Sequence, residues 1–329
     1  MADRPIIAIT MGDAGGIGPE IIVKALTRPE VSGCCRPLVV GSARVMQQAV
    51  AIVGASLRVE AVNSPRRVTF ADGMIAVLDL DNIDLAQLVF GQAAAMTGRA
   101  AFECVAKAVE LALAGEVQAI TTAPLNKEGL HLAGLRYAGH TEMLAELTHT
   151  QDYCMLLVSE RLKVAHVSTH VSLREACDRV TRARVGKVID LTQGALLKLG
   201  IPEPHIAVAG LNPHASEGGL FGWEEEREIG PAVEDALARG LRVRGPLPPD
   251  TVYYRALRGE FDAVIAMYHD QGHIPLKVVG FDQGVNVSLG MPILRTSVDH
   301  GTAYGKAGKG TANPQSMIEA IQLAARLAD

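Results

Sequence analysis

HIAVAGLNPHASEGG, residues 205–219, decides how the whole chain is read. Its first half is a short run of apolar and small residues without polar alternation, the pattern of a strand covered on both faces. Its second half is turn chemistry that carries a histidine. The design recurs: FDAVIAMY (261–268) empties into HDQGH (269–273), and VQAITT (117–122) into APLNKEG (123–129). At the start, a strand over 6–10 leads through the glycine turn GDAGGIG (12–18) into a helix opened by Pro19, with Glu20 beside its positive end. Helices are expected over about 98–114, with Thr97 as N-cap and Gly115 just past the end, and over about 182–199, stopped by Gly200. YCMLLVSE (153–160) and LKVAHVST (162–169) read as neighbouring strands. Strand then helix, repeated, predicts an α/β fold with mostly parallel sheets and helices on both faces.

With 329 residues the chain is long for a single core, so two domains, or one large α/β unit, are expected. A net charge of -5 and no basic stripe argue against a nucleic-acid partner, and an aromatic content of 4% leaves little for base stacking. An anionic small substrate needs only a few placed cations and stays open. The 5 cysteines form no CxxC pair and read as reduced thiols. No basic leader or membrane-length apolar run stands out, so the expectation is a soluble cytoplasmic protein without a membrane partner.

Ligands of open α/β sheets bind beyond the carboxyl ends of strands, which is where the suspect motifs fall. His170 in VSTHVSLREA, His214 in GLNPHASEGG and His269 in AMYHDQGH sit in separate segments rich in turn residues. Three imidazoles meeting there could hold a metal and leave coordination positions open to substrate. Asp270, next to His269, is a candidate partner for that ring, and Asp250 a second candidate carboxylate. His166 reads as structural. Lys277, Asn286 and Arg295 lie in the run 276–314 and suit a phosphate or carboxylate. His140 and Thr141, in GHTE, stand at an expected helix start that can hold an oxyanion. The turn GDAGGIG departs from the dinucleotide spacing, and no acidic residue ends a second strand about 20 residues on.

Together the blocks ITMGDAGGIGPEI, TTAPLNKEGL, GHTEML, GLNPHASEGG, MYHDQG and GVNVSLGMPILRTSVDHGTA resemble the 4-hydroxythreonine-4-phosphate dehydrogenase family of vitamin B6 synthesis. They span nearly the whole chain, in order. The resemblance implies His170, His214 and His269 as divalent-metal ligands, and His140, Thr141, Lys277, Asn286 and Arg295 as substrate contacts. It also implies a homodimer whose active site draws on both subunits. HGTAYGKAGKGTANP (300–314) is similar to the adenosine-side loop of isocitrate and isopropylmalate dehydrogenases, and that similarity implies two three-layer α/β/α domains with mostly parallel sheets and an active-site cleft between them. By that similarity His300, Gly301, Thr302 and Ala303 approach NAD, or NADP, and GDAGGIG need not. Domains are expected over 1–128 plus 286–329, with the nucleotide-side loop, and over 129–285, with the metal ligands and dimer contacts. Three departures resemble paralogues acting on threonate 4-phosphate: Asp13-Ala14-Gly15-Gly16, the Gly-His-Ile-Pro that includes His273, and Leu-Phe-Gly after Glu217-Gly218-Gly219.

The implied reaction is oxidation of a phosphorylated four-carbon 3-hydroxy acid followed by loss of its carboxylate. Its substrate would be 4-hydroxythreonine 4-phosphate, giving 3-amino-2-oxopropyl phosphate, or D-threonate or D-erythronate 4-phosphate, giving dihydroxyacetone phosphate. The metal would stabilise the alkoxide and polarise the carbonyl, and the phosphate grip would position the reacting carbon. Asp270, Asp250 and Lys277 are the candidates for proton handling. Three imidazoles suit Zn²⁺ first, then Co²⁺, Ni²⁺, Mn²⁺ or Mg²⁺. Two other classes are a zinc hydrolase, which would leave the dehydrogenase-like loop without a task, and a binding protein without turnover.

Overall fold

The computed structural model describes residues 4–68, 70–280 and 284–328, and the chain forms two α/β units. The first comprises residues 1–150 and 291–329, the second residues 151–290. These limits move residues 129–150 into the first unit, against the expected break at 128, because their helices pack on the first unit's core.

The chain enters on strand β1 (Ile6–Thr10), then helices α1 (Gly18–Leu26) and α2 (Pro29–Cys34), strand β2 (Arg36–Gly41) and helix α3 (Ala43–Val53). Strands β3 (Arg58–Val62) and β4 (Met74–Asp79) precede helix α4 (Ala95–Leu113), strand β5 (Ala119–Thr122) and helices α5 (Lys127–Leu132) and α6 (His140–Leu147). The second unit opens with strands β6 (Cys154–Val158) and β7 (Lys163–His166) and helices α7 (Leu173–Asp178) and α8 (Arg182–Lys198). Strand β8 (His205–Ala209), helix α9 (Gly230–Ala238), strand β9 (Arg242–Leu247), helix α10 (Pro249–Leu257), strand β10 (Ala263–Ala266), helix α11 (His269–Gly280) and strand β11 (Val285–Leu289) complete it. Strand β12 (Arg295–Val298) and helix α12 (Gln315–Ala328) return to the first unit.

In the first unit the order is β3-β4-β2-β1-β5-β12, every pair parallel. Strand β1 is buried from Ile7 to Thr10, as an apolar run between two helix layers must be. Helices α1, α3 and α12 pack together, while α4 packs with α5 and α6. In the second unit the order is β11-β6-β7-β10-β8-β9. Its four strands β7, β10, β8 and β9 run parallel, and β6 is antiparallel to both its neighbours. The strand runs and their pairing match the reading of an α/β fold with mostly parallel sheets.

Two boundaries differ from expectation. Helix α4 starts at Ala95, after an extended Ala94, so Thr97 lies inside its first turn and donates its hydroxyl to the Ala94 carbonyl. The glycine that suggested a start, Gly98, instead lets α4 meet α5: a Cβ there would overlap the backbone carbonyl of Gly129. The segment HDQGH (269–273), read as turn chemistry after its strand, opens helix α11. Gly272 serves packing there too, since a Cβ would collide with the ring of His166. Both glycines trade helix propensity for close approach.

Gly98→Ala should therefore lower stability by about 1–3 kcal/mol through overpacking, although alanine is the better helix former. Urea denaturation measures this; an unchanged or raised midpoint would show that α4 and α5 separate freely.

Candidate active site

Because β7, β10, β8 and β9 run parallel, their carboxyl ends share one edge, and the candidate ligands leave from it in strand order. His170 follows β7, His269 follows β10, His214 follows β8 and Asp250 opens the helix after β9. The rings of His170 and His269 lie 6.0 Å apart between centroids. His214 Nδ1 lies 4.0 Å from Asp250 Oδ2. Asp270 Oδ1 is 2.6 Å from His269 Nδ1 and can accept a hydrogen bond from it. Among the described residues no three His, Cys, Asp or Glu side chains gather closely enough to hold a metal ion. The donors have the right chemistry, but within one chain they form two pairs, His170 with His269 and His214 with Asp250.

Each pair is held by residues that sequence patterns do not single out. His269 is the first residue of α11, stacked on His273 at 3.7 Å between centroids. The buried amide of Gln271 accepts from Met267 N at 2.7 Å and donates to Gly210 O at 2.8 Å, tying the loop after β10 to the one after β8. His214 has φ 53 and begins a run of left-handed residues, with Ala215 at 54, Ser216 at 70 and Glu217 at 48. Such conformations cost about 1 kcal/mol or more per non-glycine residue and persist only where neighbours impose them. Here the buried Glu225 accepts from Leu211 N and Asn212 N, both at 2.7 Å, and from Asn212 Nδ2 at 2.8 Å. Ser216 Oγ donates to Gly222 O and accepts from Gly219 N. A carboxylate eleven residues after the histidine, in an acidic run, gives no sequence signal of this task.

The substrate candidates divide between the units. In the first, α6 begins at His140, with Thr141 next, and Arg295 opens β12. Arg295 is 1% exposed and donates to the Thr122 hydroxyl from Nε at 3.1 Å and Nη2 at 2.7 Å. Burial pushes its guanidinium down to about 9, against the favourable charge of Glu142. His140 Nε2 is sealed from solvent without a hydrogen-bond partner. Burial, then the charge of Arg295, holds that imidazole well below its usual range, so it is neutral at pH 7. A neutral ring and a cation in a dry recess can each serve an oxyanion. In the second unit, Lys277 rides half-buried on α11 and Asn286 sits on β11, its Oδ1 buried without a partner.

The parallel strands of the first unit put the loops after β1 and β12 at one edge as well. His300, Gly301 and Ala303 are exposed there and Thr302 is buried. The turn GDAGGIG is already engaged by the chain itself. Gly15 N donates to Asp13 Oδ1 at 2.8 Å, Gly16 N to Asp13 O at 3.0 Å and Ile17 N to Thr302 O at 3.1 Å. These three N–H groups are already bonded within the chain.

Residues 33–324 match the family described as pyridoxal phosphate biosynthetic protein PdxA. The chain belongs to this family. It is 51% identical over 324 residues to a D-threonate 4-phosphate dehydrogenase of Pectobacterium atrosepticum, covering 98% of this chain and 99% of the relative. It is 48% identical over 324 residues to a 4-hydroxythreonine-4-phosphate dehydrogenase of Desulforapulum autotrophicum, covering 98% and 95%. The crystal structure of 4-hydroxythreonine-4-phosphate dehydrogenase from Klebsiella pneumoniae superposes with a TM-score of 0.89 at 47% identity, covering 99% of this chain and 100% of that one. The resemblance read from the sequence blocks is thereby established for the family. Both substrate branches are represented at nearly equal identity.

Behind the second unit's site, His166 is 1% exposed and its Nε2 lacks a partner. Burial, then the charge of His273, pushes its imidazole down to about 3. In the unfolded chain the same ring protonates near pH 6.5. Above that pH both states are neutral and nothing is lost. As pH falls from about 6.5 towards 3, the unfolded state takes up the proton first, and stability drops by about 1.4 kcal/mol per pH unit from this ring. His166→Leu should flatten the decline in urea midpoint between pH 7 and pH 5. An equally steep decline would mean that His166 is not held neutral.

Proposed function

We infer that this protein oxidises a phosphorylated four-carbon 3-hydroxy acid with a nicotinamide cofactor and releases its carboxylate as CO2. The observation that carries the reading is the order of His170, His269, His214 and Asp250 along one carboxyl edge, in a chain about 50% identical to dehydrogenases of such substrates. His170, His214 and His269 hold a divalent cation, zinc first among the choices for an all-imidazole set. When bound, that ion stabilises negative charge on the substrate's hydroxyl and carbonyl oxygens. The site is completed by a second copy of the chain, as the family resemblance implies. Large exposed apolar residues on the flanking segments support the same: Leu173 after His170, Phe221 and Trp223 after His214, Tyr254 after Asp250, and Ile274 and Val278 after His269.

The chain's own residues do the rest. Arg295 and His140 bind and orient the substrate's anionic groups. Lys277 and Asn286 add a cation and an amide. A phosphate gripped away from the reacting carbon supplies binding energy that fixes the hydride donor's geometry. Asp270 holds His269 in one tautomer, and Asp250 stands against His214. Asp270, Asp250 and Lys277 are the groups available to move the proton of the hydroxyl. His300, Gly301, Thr302 and Ala303 would hold the nicotinamide nucleotide, which would supply the hydride acceptor. The resulting β-keto acid loses CO2.

The substrate is 4-hydroxythreonine 4-phosphate, or D-threonate or D-erythronate 4-phosphate. The departures at Asp13–Gly16, His273 and Leu220–Gly222 favour the hydroxy acids, and 51% against 48% identity leans the same way. NADH absorbance with each of the three compounds decides it, and no NADH from any would refute the dehydrogenase reading. His214→Ala should abolish turnover with an unchanged melting temperature, its side chain being 60% exposed. Asp270→Asn should weaken metal affinity about 10–100-fold. Chelator-treated enzyme that keeps full activity would remove the metal from the mechanism.

A further inference from the structure

The loop 301–312 has almost no regular structure of its own, only a single 3-10 turn over Tyr304–Lys306. Its shape comes from helix α1 and the turn before it. Glu20, 1% exposed in the first turn of α1, accepts from Gly308 N at 2.6 Å with Oε1 and from Gly310 N at 2.7 Å with Oε2. Both glycines have positive φ, 76 and 63, and their N–H groups converge as they would on an anion. The occupant is the protein's own carboxylate. One helical turn further, Lys24 Nζ donates to Ala312 O at 2.7 Å. Before the helix, Asp13 is fully buried, and its Oδ2 accepts the Tyr304 hydroxyl proton at 2.7 Å. Bonded residues (302, 304, 308, 310 and 312) are interleaved with exposed ones (301, 303, 305, 306, 309 and 311). One side of the loop is thus fastened and the other presented.

We propose that Glu20 and Asp13 are positioning residues that fix the loop 301–312 in the form that receives the nicotinamide nucleotide, with Glu20 filling the glycine nest in place of a phosphate. The proposal rests on the reading of this loop as the nucleotide side. It assigns the GDAGGIGPE block a task in a dehydrogenase whose glycine turn departs from the dinucleotide spacing. It also means that the nucleotide's phosphates are bound by something other than the Gly308–Gly310 nest.

The test uses full-length Glu20→Gln and Tyr304→Phe. Glutamine keeps the shape but turns one acceptor into a donor facing a backbone N–H. Phenylalanine removes only the hydroxyl on Asp13 and leaves the helix intact, so it carries the test if the first variant does not fold. Amide hydrogen exchange across 301–312 and steady-state kinetics are measured on both. The expected result is exchange and KM for the nucleotide each raised about tenfold, the worth of a lost charge-assisted hydrogen bond. The kcat and the substrate KM should stay within about twofold, a split that general destabilisation does not produce. Unchanged exchange in either folded variant overturns the fastening itself. Faster exchange with an unchanged nucleotide KM leaves the fastening real but overturns the positioning role and the nucleotide-side reading together.

Discussion

A parallel strand covered on both faces has nowhere to put a reactive side chain except at its ends. Everything about the placement of chemistry in this chain follows from that restriction. Strand β1 exposes nothing beyond its first residue, β10 is buried throughout, and β8 opens only at His205. Polar groups collect where the strands stop, and because each parallel strand stops at the same edge, they collect together. The order β7-β10-β8-β9 then converts sequence positions 170, 269, 214 and 250 into neighbours. No local signal in the chain states that order; hydrogen-bond pairing between distant strands does.

Much of this was legible beforehand, for an identifiable reason. Apolar runs ending in Gly, Pro, Asn or His mark strand ends directly, so His170, His214 and His269 could be singled out without knowing who pairs with whom. What misled was the double meaning of glycine and proline. Gly98 read as a helix start and Gly272 as part of a turn, but each sits inside a helix at a point where another element comes close. Propensity records the local cost of glycine and is blind to the tertiary contact that offsets it. Glu225 and Gln271 were illegible for a related reason. A buried carboxylate or amide that gathers backbone N–H and C=O groups looks, in sequence, like any exposed polar residue.

The two carboxylates Glu20 and Glu225 solve one problem in different units. Each unit presents an irregular loop at its strand edge, and an irregular loop leaves backbone N–H groups without secondary-structure partners. A buried carboxylate accepts several at once: two from Gly308 and Gly310, or two backbone and one side-chain donor at Leu211 and Asn212.

That arrangement bears on why His214 can stand in a left-handed run at all. Four consecutive non-glycine residues at positive φ cannot be stable alone; the strain must be absorbed by the fixed turn before them and the glycines after. Glu225 fixes Leu211 and Asn212 at the entrance, while the Ser216 hydroxyl bonds across to Gly219 and Gly222 at the exit. Between these ties the histidine is left 60% exposed, with Asp250 4.0 Å from its ring nitrogen and the Phe221 ring 6.5 Å away between centroids. An imidazole held out on a strained but fastened turn has little freedom to collapse onto the protein surface. It costs the fold about as much as several hydrogen bonds return, which is the balance expected of a group kept for an external ligand rather than for packing.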